Sequence, residues 1–298
     1  MCGIVGLHLR SPQLYPRLGE LLTGMLGEMG NRGSDSAGVA VYGDPVWSPP
    51  GRGCVSVVDV SEDADIAAAA VSAHLGSDVD IAAVDNTYLL SADATSAVLL
   101  DAVKAAYPHA LIAGFGADMA VLKGVGHPRT LTDAWGLAKA QGWQGVGHTR
   151  MATESAVTPA GCHPYTVGPE QCMVHNGSFA NHATIRRQLR SAGIEFDSEN
   201  DTEVGARFIA KQLADGRDVE SALKELCATF DGFYTLLVSN RDSFAVVRDA
   251  IACKPAVIAE TDDWVAVGSE FRALAGLPGV DSATIWEPEP EVIYAWNR

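Results

Sequence analysis

Long hydrophobic runs are missing from this 298-residue chain: nothing approaches the roughly 20 consecutive apolar residues that span a bilayer, which argues against a membrane protein. Positive charge is scarce as well. Against 37 Asp and Glu stand only 21 Lys and Arg, a formal charge of -16 that repels polyphosphate backbones, and no basic cluster is long enough to offset it locally. Nucleic acid is therefore not an expected partner. The 6 cysteines include no C-x-x-C pair, so neither a disulfide framework nor a zinc ribbon is expected, and reduced thiols are the simpler reading. A basic leader is lacking too. The apolar start meets His8 and Arg10 before a signal-type segment can form, and the cytoplasm is the expected compartment.

What is present is a soluble-type composition, 47% hydrophobic, with length enough for one large domain or two ordinary ones. The run from Gly3 to His8 reads as a strand. Leu18, Leu21, Leu22, Met25 and Met29 then recur at helical spacing, with Pro16 suited to the first turn and Gly30 to the end. Asn31 to Gly38 is turn-rich and opens into the β-branched run 39–42. Between about 54 and 120 the composition shifts to Ala, Val and Asp, with helices expected at 61–75 and 95–107 and strands at 81–84 and 110–115. This reads as a small α/β insertion without a catalytic motif; its Gly114-Phe115-Gly116 lacks the third glycine of a dinucleotide fingerprint and reads as a tight turn. Helices follow at 181–192, 202–214 and 219–230, then strands at 233–239, 244–248, 256–259, 264–267 and 292–296. Helices interleaved with antiparallel hairpins predict a layered α+β domain rather than a parallel doubly wound sheet.

Four stretches carry chemistry. Cys2 becomes the first residue once Met1 is removed, and its own α-amine, with a pKa of roughly 7.7 to 8.0, is then a built-in base for the thiol. Taken alone, Cys2 is equally a small hydrophobe entering a strand. Arg150 suits bidentate pairing with a carboxylate, or is a surface arginine. His175-Asn176-Gly177 follows an apolar strand and places a side-chain amide and an unhindered N–H at a turn. Those are oxyanion donors of the kind that stabilise a transition state by about 2.7 to 4 kcal/mol, or else an ordinary Asn-Gly turn. Asp201 is either a helix N-cap or a carboxylate for a substrate ammonium, and capping is the better reading of that residue by itself.

Together and in this order, these stretches resemble the class II glutamine amidotransferase domain of the N-terminal-nucleophile hydrolase family. Cys2-Gly3-Ile4-Val5-Gly6 resembles the family's opening, Asn31 to Gly38 its Arg-Gly-x-Asp-Ser-Ala-Gly loop, and Gly147 to Thr153 its His-Thr-Arg segment. Cys162-His163-Pro164, His175-Asn176-Gly177, Asp201-Thr202-Glu203, Asp231 to Tyr234, Arg248-Asp249 with Lys254-Pro255, and Gly268-Ser269-Glu270 follow in family order. The resemblance covers residues 1–43 and about 120–298. It implies a four-layer αββα sandwich. It also implies that Cys2 attacks the glutamine carboxamide, that Asn176 and the Gly177 N–H hold the oxyanion, and that Arg150 and Asp201 bind the α-carboxylate and α-ammonium. Thr153 and His163 would line the pocket and Arg32 would brace the loops.

The segment 147–156 and the stretch from Ile251 through Val257 to Trp264 are most similar to the stand-alone glutaminase-type subunit of N-methylglutamate synthase and glutamate-synthase-like complexes. That resemblance implies partner subunits carrying FMN and iron-sulfur clusters, since this chain has no cluster-spaced cysteines. The chain ends about where such a glutaminase domain ends, so the expected acceptor of ammonia is a separate chain. Three other readings compete. One is a thiol hydrolase built on Gly51-Arg52-Gly53-Cys54, which lacks the second flanking glycine of a nucleophile elbow. Another is a metal module of Cys162, His163, Cys172 and His175, whose spacing is not a usual finger pattern. The third is a non-catalytic scaffold or glutamine sensor of the same complex.

Overall fold

The structure, a computed structural model, describes residues 2–151 and 157–298. In chain order it contains β1 (Gly3–Leu9), α1 (Leu18–Glu28), β2 (Ser36–Tyr42), β3 (Gly53–Val58), α2 (Ala64–Leu75), β4 (Val79–Val84), β5 (Thr87–Ala92), α3 (Ser96–Ala106), β6 (Leu111–Gly116), β7 (Met119–Val125), α4 (Pro128–Ala134) and β8 (Gln144–Arg150). It continues with β9 (Cys172–Phe179), α5 (His182–Ser191), α6 (Asp201–Ala214), α7 (Val219–Thr229), β10 (Gly232–Ser239), β11 (Ser243–Arg248), β12 (Val257–Glu260), β13 (Trp264–Gly268), β14 (Thr284–Trp286) and β15 (Tyr294–Asn297).

A seven-stranded sheet, ordered β14-β12-β13-β1-β8-β2-β7, stacks on a four-stranded sheet ordered β15-β11-β10-β9. Ile4, Ala40 and Val146 from the first meet Val174, Leu237 and Val246 from the second in a shared core. Each of the buried Val, Leu and Ile side chains contributes roughly 1.5–3 kcal/mol. The period of two along a strand turns the alternate residues outward, where Leu7, Val39 and Leu122 receive Leu22, Met25 and Leu26 of α1. On the far side Met173, Leu236 and Val247 receive Ile185, Phe208 and Leu223 of α5, α6 and α7. The layers therefore run α, β, β, α, as expected for the α+β sandwich. Among the described residues no helix is long and apolar enough to cross a membrane.

Strands β3 to β6 form a sheet of their own, ordered β4-β5-β3-β6, with α2 and α3 packed on one face. Its strand pairs are all antiparallel, so the small α/β insertion expected here takes the form of a βαββαβ unit of the split type. Both faces of this sheet are covered, one by the helices and the other by β7. The Val121 N–H donates to Ser56 Oγ across that contact, at 3.0 Å. The separate sheet ends at Gly116, and Met119–Val125 returns to the edge of the large sheet, short of the expected boundary near 120. Strands β3, β5 and β14 were not expected from the sequence; β3 and β5 carry Gly, Ser, Thr or Ala between their apolar residues and β14 is short.

Candidate active site

Cys2 lies immediately before β1, half-buried, at the end of the large sheet where four strand termini meet. Register decides which side chains gather there. Gly3 opposes Thr149 and Ile4 opposes His148 across β1 and β8, Ser36 opposes Arg150 across β2 and β8, and Val5 opposes Gly268 across β1 and β13. Gly3 must lack a side chain, because a Cβ there would lie 2.7 Å from Thr149 Oγ1 and 2.8 Å from Met29 Cβ. On β8, Val146, His148 and Arg150 share the face turned toward the small sheet, whose β9 presents Asn176.

The Cys2 carbonyl oxygen accepts from Arg32 Nε at 2.9 Å and from Asn176 Nδ2 at 3.3 Å. Arg32 in turn pairs with Glu270 at 2.5 Å. Asn176 Nδ2 also donates to Ser269 Oγ at 3.2 Å, and its Oδ1 lies 3.0 Å from His148 Nε2. Ser269 grips the first strand twice: its Oγ accepts from the Ile4 N–H at 2.9 Å and its N–H donates to the Ile4 carbonyl at 3.0 Å. The thiol donates to the Met151 carbonyl at 3.9 Å. Burial pushes that thiol up, but the hydrogen bond and charge of His148 and the contact with Met151 outweigh it and bring it down to about 7.

Beyond His148 the interior is lined with imidazoles. The rings of His148 and His163 lie 4.1 Å apart, and Thr202 Oγ1 stands between His163 Nε2 at 3.1 Å and His175 Nδ1 at 2.9 Å. Burial holds His163 and His175 below the ordinary histidine range; neighbouring positive charge adds to this at His163, and His148 adds to it at His175. Arg150 is buried at the end of β8, where its charge acts on His163 and Cys162.

Of the residues expected from sequence, Cys2, Arg32 and Asn176 are in direct contact, and Arg150 and His163 lie in the same interior layer. Gly177 adjoins Asn176, but His175-Asn176-Gly177 is not at a turn: all three lie within β9, with Gly177 opposite Tyr234 of β10. The Asn-Gly pair reads as a turn because those residue types suit the positive-φ positions of hairpin turns; here Gly177 takes φ +142° within the strand. Capping of α6 belongs to Asn200, whose side chain accepts from the Thr202 N–H at 2.8 Å. Asp201 is the first helical residue and instead accepts from the Phe179 N–H at 2.8 Å, tying α6 to the end of β9. Thr153 lies outside the described residues.

Neither competing thiol reading finds its geometry. Cys54 is a strand residue of β3, and burial with Glu170 and Asp118 nearby pushes it up to about 12, the opposite of an activated nucleophile. Cys162 Sγ donates to the Gly124 and Thr158 carbonyls. Cys172 packs between the sheets while His175, three residues on, stacks on Phe179 on the helix-covered side. Sequence reading left His148, Ser269 and Glu270 without roles. For His148 the signal was available, since alternation along β8 puts it on the face of Arg150. For Ser269 and Glu270 no local pattern marks a contact with residues 265 and 238 positions away.

The glutamine amidotransferase domain family matches residues 148–276, a span that includes His148, Arg150, Asn176, Asp201 and Ser269. The glutamine amidotransferase-like protein GlxB of Rhizobium meliloti is 44% identical over 100% of this chain and 99% of its own length. The glutamine–fructose-6-phosphate aminotransferase of Mycobacterium bovis is 34% identical over 44% of this chain, covering 22% of that protein. In fold, the chain is similar to the glutamine phosphoribosylpyrophosphate amidotransferase of B. subtilis, with a TM-score of 0.64 at 18% identity. That match covers 99% of this chain but spans only about half, 47%, of the solved structure. The full-length match to a glutamine amidotransferase-like protein, on a sandwich with Cys2 at its mouth, establishes that the chain belongs to the class II glutamine amidotransferase family.

Proposed function

We propose that this chain hydrolyses glutamine to glutamate and ammonia at Cys2 and delivers the ammonia to a separate glutamate-synthase-like partner, in a complex of the N-methylglutamate synthase type. The observation that carries the reading is the Cys2 environment: a thiol brought down to about 7, on a backbone held by Arg32 and Asn176. With Met1 removed, the Cys2 α-amine takes the thiol proton and sulfur attacks the carboxamide carbon. The resulting oxyanion is met by Asn176 Nδ2 and the Gly177 N–H. The C–N bond breaks, the amine returns its proton to the departing ammonia, and a γ-glutamyl thioester remains. Water then attacks the thioester, freeing glutamate and the thiol. Arg150 and Asp201 would read the two charged ends of the substrate, with Thr153 and His163 lining the pocket.

FMN and iron-sulfur clusters, on this reading, reside in the partner subunits. Ammonia set free in water is protonated and lost to bulk, which is the chemical reason for an acceptor chain.

Intact-mass measurement after treatment with 6-diazo-5-oxo-norleucine tests the reading. The expected result is loss of Met1 and one adduct, mapped to Cys2. Unmodified protein in the presence of its acceptor subunits would instead support a non-catalytic scaffold or glutamine sensor.

A further inference from the structure

The nucleophile and its oxyanion donor come from different sheets, Cys2 from the large one and Asn176 from β9 of the small one. Amide hydrolysis needs the two held within a fraction of an ångström of the productive arrangement. We propose that the adjacent pair Ser269 and Glu270, at the end of β13, are the positioning residues that lock them together. The inference rests on Cys2 acting as the nucleophile.

Ser269 is buried, and its hydroxyl receives two donors, the Ile4 N–H at 2.9 Å and Asn176 Nδ2 at 3.2 Å. One atom thus ties the strand that begins at Cys2 to the amide on the opposite sheet. The Asn176 amide has two hydrogens. One goes to Ser269 and the other, at the longer distance of 3.3 Å, to the Cys2 carbonyl. A charged oxyanion outcompetes a neutral carbonyl for the second hydrogen, while Ser269 retains the first and keeps the amide plane from rotating.

Glu270 fixes the other donor to the same carbonyl. Its carboxylate pairs with Arg32 at 2.5 Å and with Arg272 at 2.8 Å, and Arg32 Nε reaches the Cys2 oxygen at 2.9 Å. The Arg32 side chain is only 8% exposed, so the paired carboxylate helps to compensate a charge that is largely out of water. Removing the carboxylate weakens the hold on the guanidinium and with it the hydrogen bond to the Cys2 carbonyl.

The test uses the full chain with Met1 removed, as wild type and as Ser269→Ala, Glu270→Ala and Glu270→Gln. Glutamine hydrolysis gives kcat and KM, iodoacetamide alkylation of Cys2 reports the thiol alone, and thermal melting reports the fold. Ser269→Ala should lower kcat about tenfold to a hundredfold, less than deletion of an oxyanion donor, with KM and alkylation rate changed by no more than about twofold. Glu270→Ala should lower kcat about tenfold, and Glu270→Gln, which keeps an acceptor for Arg32, should restore most of it. Wild-type kcat in both Ala variants would overturn the proposal, as would losses of kcat matched by equal losses in alkylation. If Ser269→Ala fails to fold, the half-exposed Glu270 pair decides alone. A wild-type chain that neither hydrolyses glutamine nor forms the diazo-ketone adduct would remove the nucleophile reading itself, and this inference with it; an active wild type with unaffected variants sinks only the positioning roles.

Discussion

His148 Nε2 lies 3.0 Å from Asn176 Oδ1, and that contact decides which end of the Asn176 amide faces Cys2. An imidazole N–H at that position donates to the carbonyl oxygen, so the NH2 group is turned toward the Cys2 carbonyl and Ser269. The same ring lowers the Cys2 thiol. One histidine on β8 therefore acts on both halves of the site, the sulfur and the donor that faces it.

Replacing His148 by Ala should leave burial as the dominant influence on Cys2 and push the thiol back above about 7. Thiolate falls tenfold for each pH unit that the titration moves upward, so iodoacetamide alkylation at pH 7 should slow by about tenfold or more, with the profile displaced to higher pH. A profile unchanged from wild type would mean that His148 does not tune the thiol.

Gly177→Ala should be destabilising and inactive. Gly177 sits at φ +142°, and a Cβ there would lie 2.0 Å from the Phe233 carbonyl oxygen in the adjacent strand. Backbone strain alone costs about 1–3 kcal/mol, and relief by opening the β9–β10 pairing would displace Asn176 as well. Denaturant titration and glutamine hydrolysis on the same preparation check both effects.

Stability should fall in mild acid, before the carboxylates titrate. His163 and His175 are held below their ordinary range, chiefly by burial, so the folded state keeps them neutral while the unfolded chain binds protons from about pH 6.5 downward. Their contribution is complete above that pH and is lost as pH falls toward the folded-state values. The melting temperature should drop between pH 7 and 5, and the slope should be shallower in His163→Gln. A flat profile would mean that the two imidazoles are not kept neutral by the fold.

Lys123 on β7 is a base of another kind lowered by the same cause, at higher pH. Burial lowers it to about 8, so its charge weakens the fold at neutral pH, and the penalty fades as pH rises from 8 toward the ordinary lysine value. Lys123→Met should raise the melting temperature at pH 7 by the equivalent of roughly 2–3 kcal/mol, with the advantage shrinking by pH 10. Loss of stability at pH 7 would show instead that the ammonium, 5.2 Å above the Tyr165 ring, is held by favourable contacts.

How far the sequence reaches differs from element to element. The strand at Gly3–Leu9 and the helix at Leu18–Glu28 were legible because their apolar spacing is dictated by the core they face. The insertion's helices were legible for the same reason, but its antiparallel order was not, since strand direction is set by connections and packing rather than by composition. Asn200, not Asp201, caps α6, a one-residue distinction between two equally good capping residue types.

The residue types of the site and their order along the chain, from Cys2 through Arg150 and Asn176 to Asp201, are properties of the sequence itself, and they were enough to carry the family resemblance and the roles proposed from it. Tertiary structure alone decided what controls them. It set His148 between the thiol and the Asn176 amide, and it brought Ser269 and Glu270 from the far end of the chain to hold Ile4, Asn176 and Arg32. The physical reason is range: propensity and periodicity act over a few residues, whereas the register of β1 between β8 and β13 joins segments more than a hundred residues apart.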